Sequence, residues 1–183
     1  TRAYLGDADG TLWRADFTSR DPAQWWMADV YDLFWDRQFD EGQPIVEKPV
    51  ITVDNQNRTL IAFGSGDPDL LEGTQENRVA SISEEASLDG AGNASSIEMQ
   101  AIWEISPNAD TSRGFYTGER LTGQLTLFNN ILYFGTFSPQ SGTDPCDIGF
   151  ARLWGVDMAK SDGANSVVPM ARLDLDGNPG TTT

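Results

Sequence analysis

Apolar residues in this chain come in short runs bounded by Gly, Pro, Asn and Asp, a pattern that predicts strands rather than long helices. Ala3–Asp7 and Thr11–Phe17 flank Asp9-Gly10, a dipeptide suited to tight hairpin turns that need positive φ. Trp25–Phe34 is expected to add the outer strand of the same sheet, with a helical turn at Ala28–Trp35 as the competing reading. After the turn-like Gly42-Gln43-Pro44, strands are expected at Pro49–Val53, Thr59–Gly66, Arg78–Ser83 and Met99–Ile105. A third group runs Leu121–Phe128, the Asn129-Asn130 turn, Ile131–Phe137, Ala151–Met158 and Val168–Leu173.

The groups repeat a pattern. Tyr4-Leu5-Gly6-Asp7 leads into Leu12-Trp13-Arg14-Ala15-Asp16, and Leu132-Tyr133-Phe134-Gly135-Thr136 precedes Leu153-Trp154-Gly155-Val156-Asp157. A partial third version is Leu60-Ile61-Ala62-Phe63-Gly64-Ser65-Gly66-Asp67. Internal repeats of strand groups point to radially repeated β-sheets. The fold expected is therefore all-β, a fragment of a β-propeller with about three four-stranded blades, near 1–41, 42–107 and 108–183. The first blade would lack its innermost strand, and Gly6, Gly64 and Gly135 would end equivalent second strands. Trp13 and Trp154 are expected to pack between sheets, and most of Trp25, Trp26 and Trp35 to be core. The stretches Asp67–Asn77, Ser83–Glu98 and Ser138–Phe150 are expected to be loops, with Ser83–Ser96 the flexible one.

Charge and composition narrow the function. There are 28 Asp and Glu against 12 Lys and Arg, a net charge of −16. Such a surface repels phosphate backbones and anionic headgroups, so nucleic acid and membrane insertion are not expected. Histidine is absent, which excludes Ser–His–Asp and Cys–His catalysis within this chain. No apolar run approaches the length of a membrane-spanning helix. The chain is expected to be a piece of a longer polypeptide or a processed product.

The motifs resemble one family. Tyr4-Leu5-Gly6-Asp7 through Asp16 is similar to the Y-x-G-D-x-x-G-x-L-W-R-x-D segment of the PilY-type proteins of type IV pili. Gln43-Pro44-Ile45 with Pro49-Val50 resembles the family's approach to the next blade, and Phe63-Gly64-Ser65-Gly66 its FGTG strand end. Leu132–Pro139, Asp144-Pro145-Cys146 and Leu153–Asp157 resemble a further blade, so the likeness runs in order over most of the chain. The resemblance implies a quinoprotein-like propeller of a secreted pilus-tip protein, non-catalytic, acting in pilus assembly and surface adhesion. It implies minor pilins or other tip proteins as partners, with the rest of the propeller supplied by further segments. The alternative function is a quinone-cofactor-dependent dehydrogenase built on the same kind of propeller. Against that enzyme, no convincing set of metal ligands and catalytic base stands out.

Candidate chemistry is sparse. Asp174, Asp176 and Asn178 alternate oxygen ligands as a calcium loop begins, but Pro179 stands where such a loop needs Gly, and an ordinary turn is the competing reading. The family's full calcium loop has no match, so calcium is the one cofactor left open and no other is expected. Asp7 and Asp9 are expected to serve the hairpin turn. Glu84, Glu85, Asp89, Asn93 and Glu98 would meet at a cation only if their loop folded back; a solvated acidic loop is the expectation. Asn57-Arg58-Thr59 and Asn93-Ala94-Ser95 fit the glycosylation pattern, which is frequent by chance. Cys146 is the single cysteine, with a free thiol and a disulfide to a partner outside the chain as the two readings; an extracellular setting favours the disulfide.

Overall fold

The computed structural model describes residues 1–38, 41–67, 74–88, 94–108, 114–139, 149–160 and 169–174, with backbone alone for 86–88, 94–96 and 169–174. The fold is all-β: eleven strands, one 3₁₀ turn at Pro22–Gln24 and no α-helix among the described residues. No helix there is long and apolar enough to cross a membrane.

Three antiparallel sheets follow one another along the chain. Sheet 1 holds β1 (Arg2–Gly6), β2 (Thr11–Asp16) and β3 (Trp26–Asp32). Sheet 2 holds β4 (Val50–Val53), β5 (Thr59–Gly64), β6 (Val79–Leu88) and β7 (Ala94–Ile105). Sheet 3 holds β8 (Arg120–Phe128), β9 (Ile131–Ser138), β10 (Phe150–Asp157) and β11 (Pro169–Asp174). Each strand pairs with its sequence neighbours, so every sheet is a simple meander.

Turn chemistry explains the hairpins. Gly10 sits at φ +95°, where the Asp7 carboxylate accepts from the Asp9 and Thr11 amides at 3.2 and 2.8 Å. Asn129 and Asn130 both adopt positive φ, as a two-residue turn between twisted strands requires. In the turn from β4 to β5, Asp54 accepts from the Gln56 and Arg58 amides, each at 2.8 Å, and Asn57 takes φ +62°.

The sheets stack face to face, with sheet 2 in the middle. Ile61, Phe63, Ala80 and Ile82 meet Leu12, Leu33 and Phe34 from the first sheet and the turn after it. Leu60, Ala62, Trp103 and Ile105 meet Leu132, Phe134, Trp154 and Val156 of sheet 3. β5 is therefore covered on both sides, which is why Leu60–Phe63 is apolar without alternation. Between the sheets, β3 lies against β7, and β8 lies against both β4 and β5.

Three expectations need correction. Gly6 and Gly64 end their strands, but Gly135 lies inside β9, which continues to Ser138 because Gly135, Thr136, Phe137 and Ser138 stay paired with β10. Ser83–Ser96 is not a loop throughout. β6 continues through Leu88 and β7 starts at Ala94, with Glu84 opposite Met99 and Ser87 opposite Ser96, so ladder pairing outweighs the low strand propensity of Ser, Glu and Ala. Trp25, Trp26 and Trp35 are exposed, Trp35 by 74%, while the buried tryptophans are Trp103 and Trp154. Trp13 alternates with the buried Leu12 and so lies on the side of sheet 1 that faces away from sheet 2.

Candidate functional site

Three clusters among the described residues enclose a buried arginine with carboxylates, and a cavity opens beside one of them. The first cluster ties sheet 1 to sheet 2. Alternation in β2 puts Arg14 on the same face as Leu12, so a guanidinium only 1% exposed enters the interface. Glu84 of β6 meets it, accepting from Arg2 at 2.6 Å and Tyr4 at 2.5 Å, with Arg14 at 3.2 Å. Arg14 also donates to Asp16 at 2.9 Å and lies 5.0 Å from the Trp26 ring. Burial and the Glu84 carboxylate push the Tyr4 hydroxyl well above its usual pKa. Hydrogen bonds from Thr18 and then Arg14 hold Asp16 well below the carboxylate range.

Arg78 anchors the second cluster, just before β6. It donates to the Leu33 carbonyl at 2.8 Å and to Glu104 at 3.3 Å, and pairs with Asp36 at 2.9 Å. Its guanidinium stands 5.1 Å from the Phe34 ring. Burial raises the Glu104 carboxyl, and burial with the nearby Glu104 pushes Tyr31 up to about 12. Asp36 is lowered by its hydrogen bond from Arg78.

The third cluster is the most enclosed. Glu119 is fully buried, receives Arg152 Nε at 2.8 Å and the Tyr116 amide at 2.8 Å, and also accepts from Thr136 Oγ1. Trp154 Nε1 donates to that threonine at 2.8 Å, and the Arg152 guanidinium lies 4.5 Å from the Trp154 ring. In all three clusters the carboxylates are occupied by guanidinium donors. Such pairing serves to join β-strands and neutralise buried charge.

A cavity of about 320 Å³ opens between the turn after β3 and the segment before β6. Phe34, Arg37, Gln43, Gln75 and Glu76 line it, and Arg37 is ion-paired with Glu76. The described residues of the Asp67–Asn77 stretch thus split between a surface and a structural tie: Gln75 and Glu76 border the cavity, while Asn77 is buried and donates to the Glu119 carbonyl at 3.0 Å.

The sites expected from sequence fare unevenly. Asp174 ends β11, while Asp176, Asn178 and Cys146 lie outside the described residues, as does most of Ser138–Phe150. Among the described residues no group of three or more Cys, Asp or Glu is placed to hold a metal ion. Asp7 serves the hairpin turn and the Trp13 indole. Glu84 and Glu85 do not converge: Glu84 turns inward to Arg14, and Glu85 pairs with Arg58 at 3.0 Å on the other face. The buried arginines escaped sequence reasoning, although a charge on the Leu12 face of β2 was a visible signal. Comparison with known proteins finds no matching family model, curated protein or solved structure.

Proposed function

We propose that this chain forms three successive blades of an extracellular β-propeller in a PilY-type pilus-tip protein. Its role is non-catalytic: it takes part in pilus assembly and surface adhesion, and its partners are minor pilins or other tip proteins. One observation carries the propeller part of the reading. Three meander sheets follow one another along the chain and stack face to face, with β3 against β7 and β8 against β4 and β5, as successive blades do. The ordered run of PilY-like segments from Tyr4 to Asp157 supports the family part. Exposed Trp25, Trp26 and Trp35 supply aromatic surface suited to protein contacts.

Deleting this segment from the parent gene tests the assignment. Reduced piliation or attachment supports it, and normal piliation with normal attachment overturns it. Purified parent protein that shows quinone absorbance and alcohol-dependent dye reduction would favour the dehydrogenase instead.

A further inference from the structure

Among the described residues Arg14, Arg78, Arg120 and Arg152 are nearly enclosed, each 5% exposed or less. Three of them touch carboxylates. Arg14 meets Asp16 and Glu84, Arg78 meets Asp36 and Glu104, and Arg152 grips Glu119. Arg120 is different. It donates Nη1 to the Asp67 carbonyl at 3.1 Å, and no carboxylate of a described residue lies within ion-pair distance. Its Nε is buried without a partner. Nε is also unbonded in Arg14 and Arg78, but there the other guanidinium nitrogens hold carboxylates.

Arg152 shows what fills such a group in this protein. Its Nε and Nη2 lie along one edge of the guanidinium, and the two oxygens of Glu119 occupy that edge. The same edge of Arg120 has no partner among the described residues. Burial pulls the Arg120 guanidinium below its ordinary pKa, and the Asp67 charge, acting from beyond contact, opposes that shift. A buried cation with no counter-ion in contact is costly, and a carboxylate on the open edge would offset the cost. The position suits an outside ligand. Arg120 pairs with Phe137, next to Ser138, and bonds Asp67, so it stands where the Asp67–Asn77 and Ser138–Phe150 stretches leave sheets 2 and 3.

We propose that the Nε–Nη2 edge of Arg120 is a carboxylate-binding site, filled by an acidic side chain of a partner protein or by a free small carboxylic acid. The chain's net charge of −16 opposes any anion at long range, so recognition rests on the two-point contact rather than on steering. The site does not depend on the pilus-tip reading.

NMR of the nitrogen-15-labelled chain, read at the arginine Nε–H signals, provides the test. The probes are acetate and glutamate blocked at both ends as its acetyl amide, with chloride at equal ionic strength as the control. The Arg120 signal is expected to shift saturably, with half-saturation in about the millimolar range, while Arg152 stays still because Glu119 fills its edge. Variants are followed at the Leu121 backbone amide. Arg120→Lys keeps the charge but loses the planar edge, and should weaken binding about tenfold or more. Asp67→Asn removes a competing negative charge and should tighten binding about twofold or more. Tighter binding of blocked glutamate assigns a protein source, and equal or tighter binding of acetate a free acid. An Arg120 signal unmoved by both probes, one that chloride moves equally, or Arg120→Lys binding as wild type does would each overturn the site. If circular dichroism shows Arg120→Lys unfolded, the contrast between the Arg120 and Arg152 signals in wild type decides alone. Piliation by the parent gene scores the pilus-tip reading separately.

Discussion

Replacing Glu84 by glutamine removes one negative charge from the junction of sheets 1 and 2 and keeps the side-chain shape. Arg14 is left buried, with Asp16 as its remaining carboxylate at 2.9 Å. Breaking a buried ion pair from one side costs about 3–5 kcal/mol. Asp16 still offsets part of the Arg14 charge, which places the expected loss near the lower end, about 3 kcal/mol. Arg2 adds little, because its side chain is substantially exposed. Glu85→Gln is the internal control: its partner Arg58 lies on the other face, with both side chains about one-third exposed. That change should cost about 1 kcal/mol at most. Urea unfolding followed by tryptophan fluorescence separates the two. With a slope of about 2 kcal/mol per molar, Glu84→Gln moves the midpoint down by about 1.5 M and Glu85→Gln by less than about 0.5 M. Equal shifts for the two variants would refute the view that burial of Arg14 makes the Glu84 contact strong.

Four further outcomes are expected. Trp154→Ala removes a fully buried ring stacked on Phe134 and should cost about 3–5 kcal/mol, seen as a lower thermal midpoint. Gly10→Ala forces a side chain into the left-handed region and puts its Cβ 2.4 Å from the Phe34 ring, so calorimetry should show a loss of at least about 1 kcal/mol. Tyr31 has a folded pKa of about 12, raised above its unfolded value of about 10, so its contribution is complete below pH 10 and is lost as pH rises toward 12. Tyr31→Phe should flatten that part of the alkaline unfolding profile, and Asp16→Asn should flatten the acid limb, where a depressed carboxylate loses its stabilisation as pH falls.

Strand positions were legible where turn chemistry bounded them. Asp9-Gly10 and Asn129-Asn130 marked their hairpins, and the runs beside them became β1, β2, β8 and β9. The long β6–β7 hairpin was hidden because Ser, Glu and Ala have weak strand preference, and only pairing across the ladder makes Ser83–Leu88 a strand. The tryptophans misled for a different reason. Sequence can place Trp13 and Trp154 at equivalent ranks but cannot say which side of a sheet has a neighbour. The buried clusters depend on partners far apart in the chain, such as Arg14 with Glu84 and Arg78 with Asp36, and no local pattern connects them.

The double-sided burial of β5 has a consequence for how its pairing is chosen. In a strand with one wet face, sliding by a residue would expose the apolar set, so hydrophobicity fixes the alignment. Leu60-Ile61-Ala62-Phe63 has no wet face, and a slipped β5 would still bury apolar atoms on both sides. Alignment must come from features that do not slide. The Asp54–Arg58 turn, with Asn57 held at φ +62°, sets one end. At the other end, a Cβ added at Gly64 would stand 2.6 Å from a Val79 methyl, so only a glycine fits opposite Val79. A turn and a missing side chain thus decide which of two equally greasy alignments the middle sheet adopts.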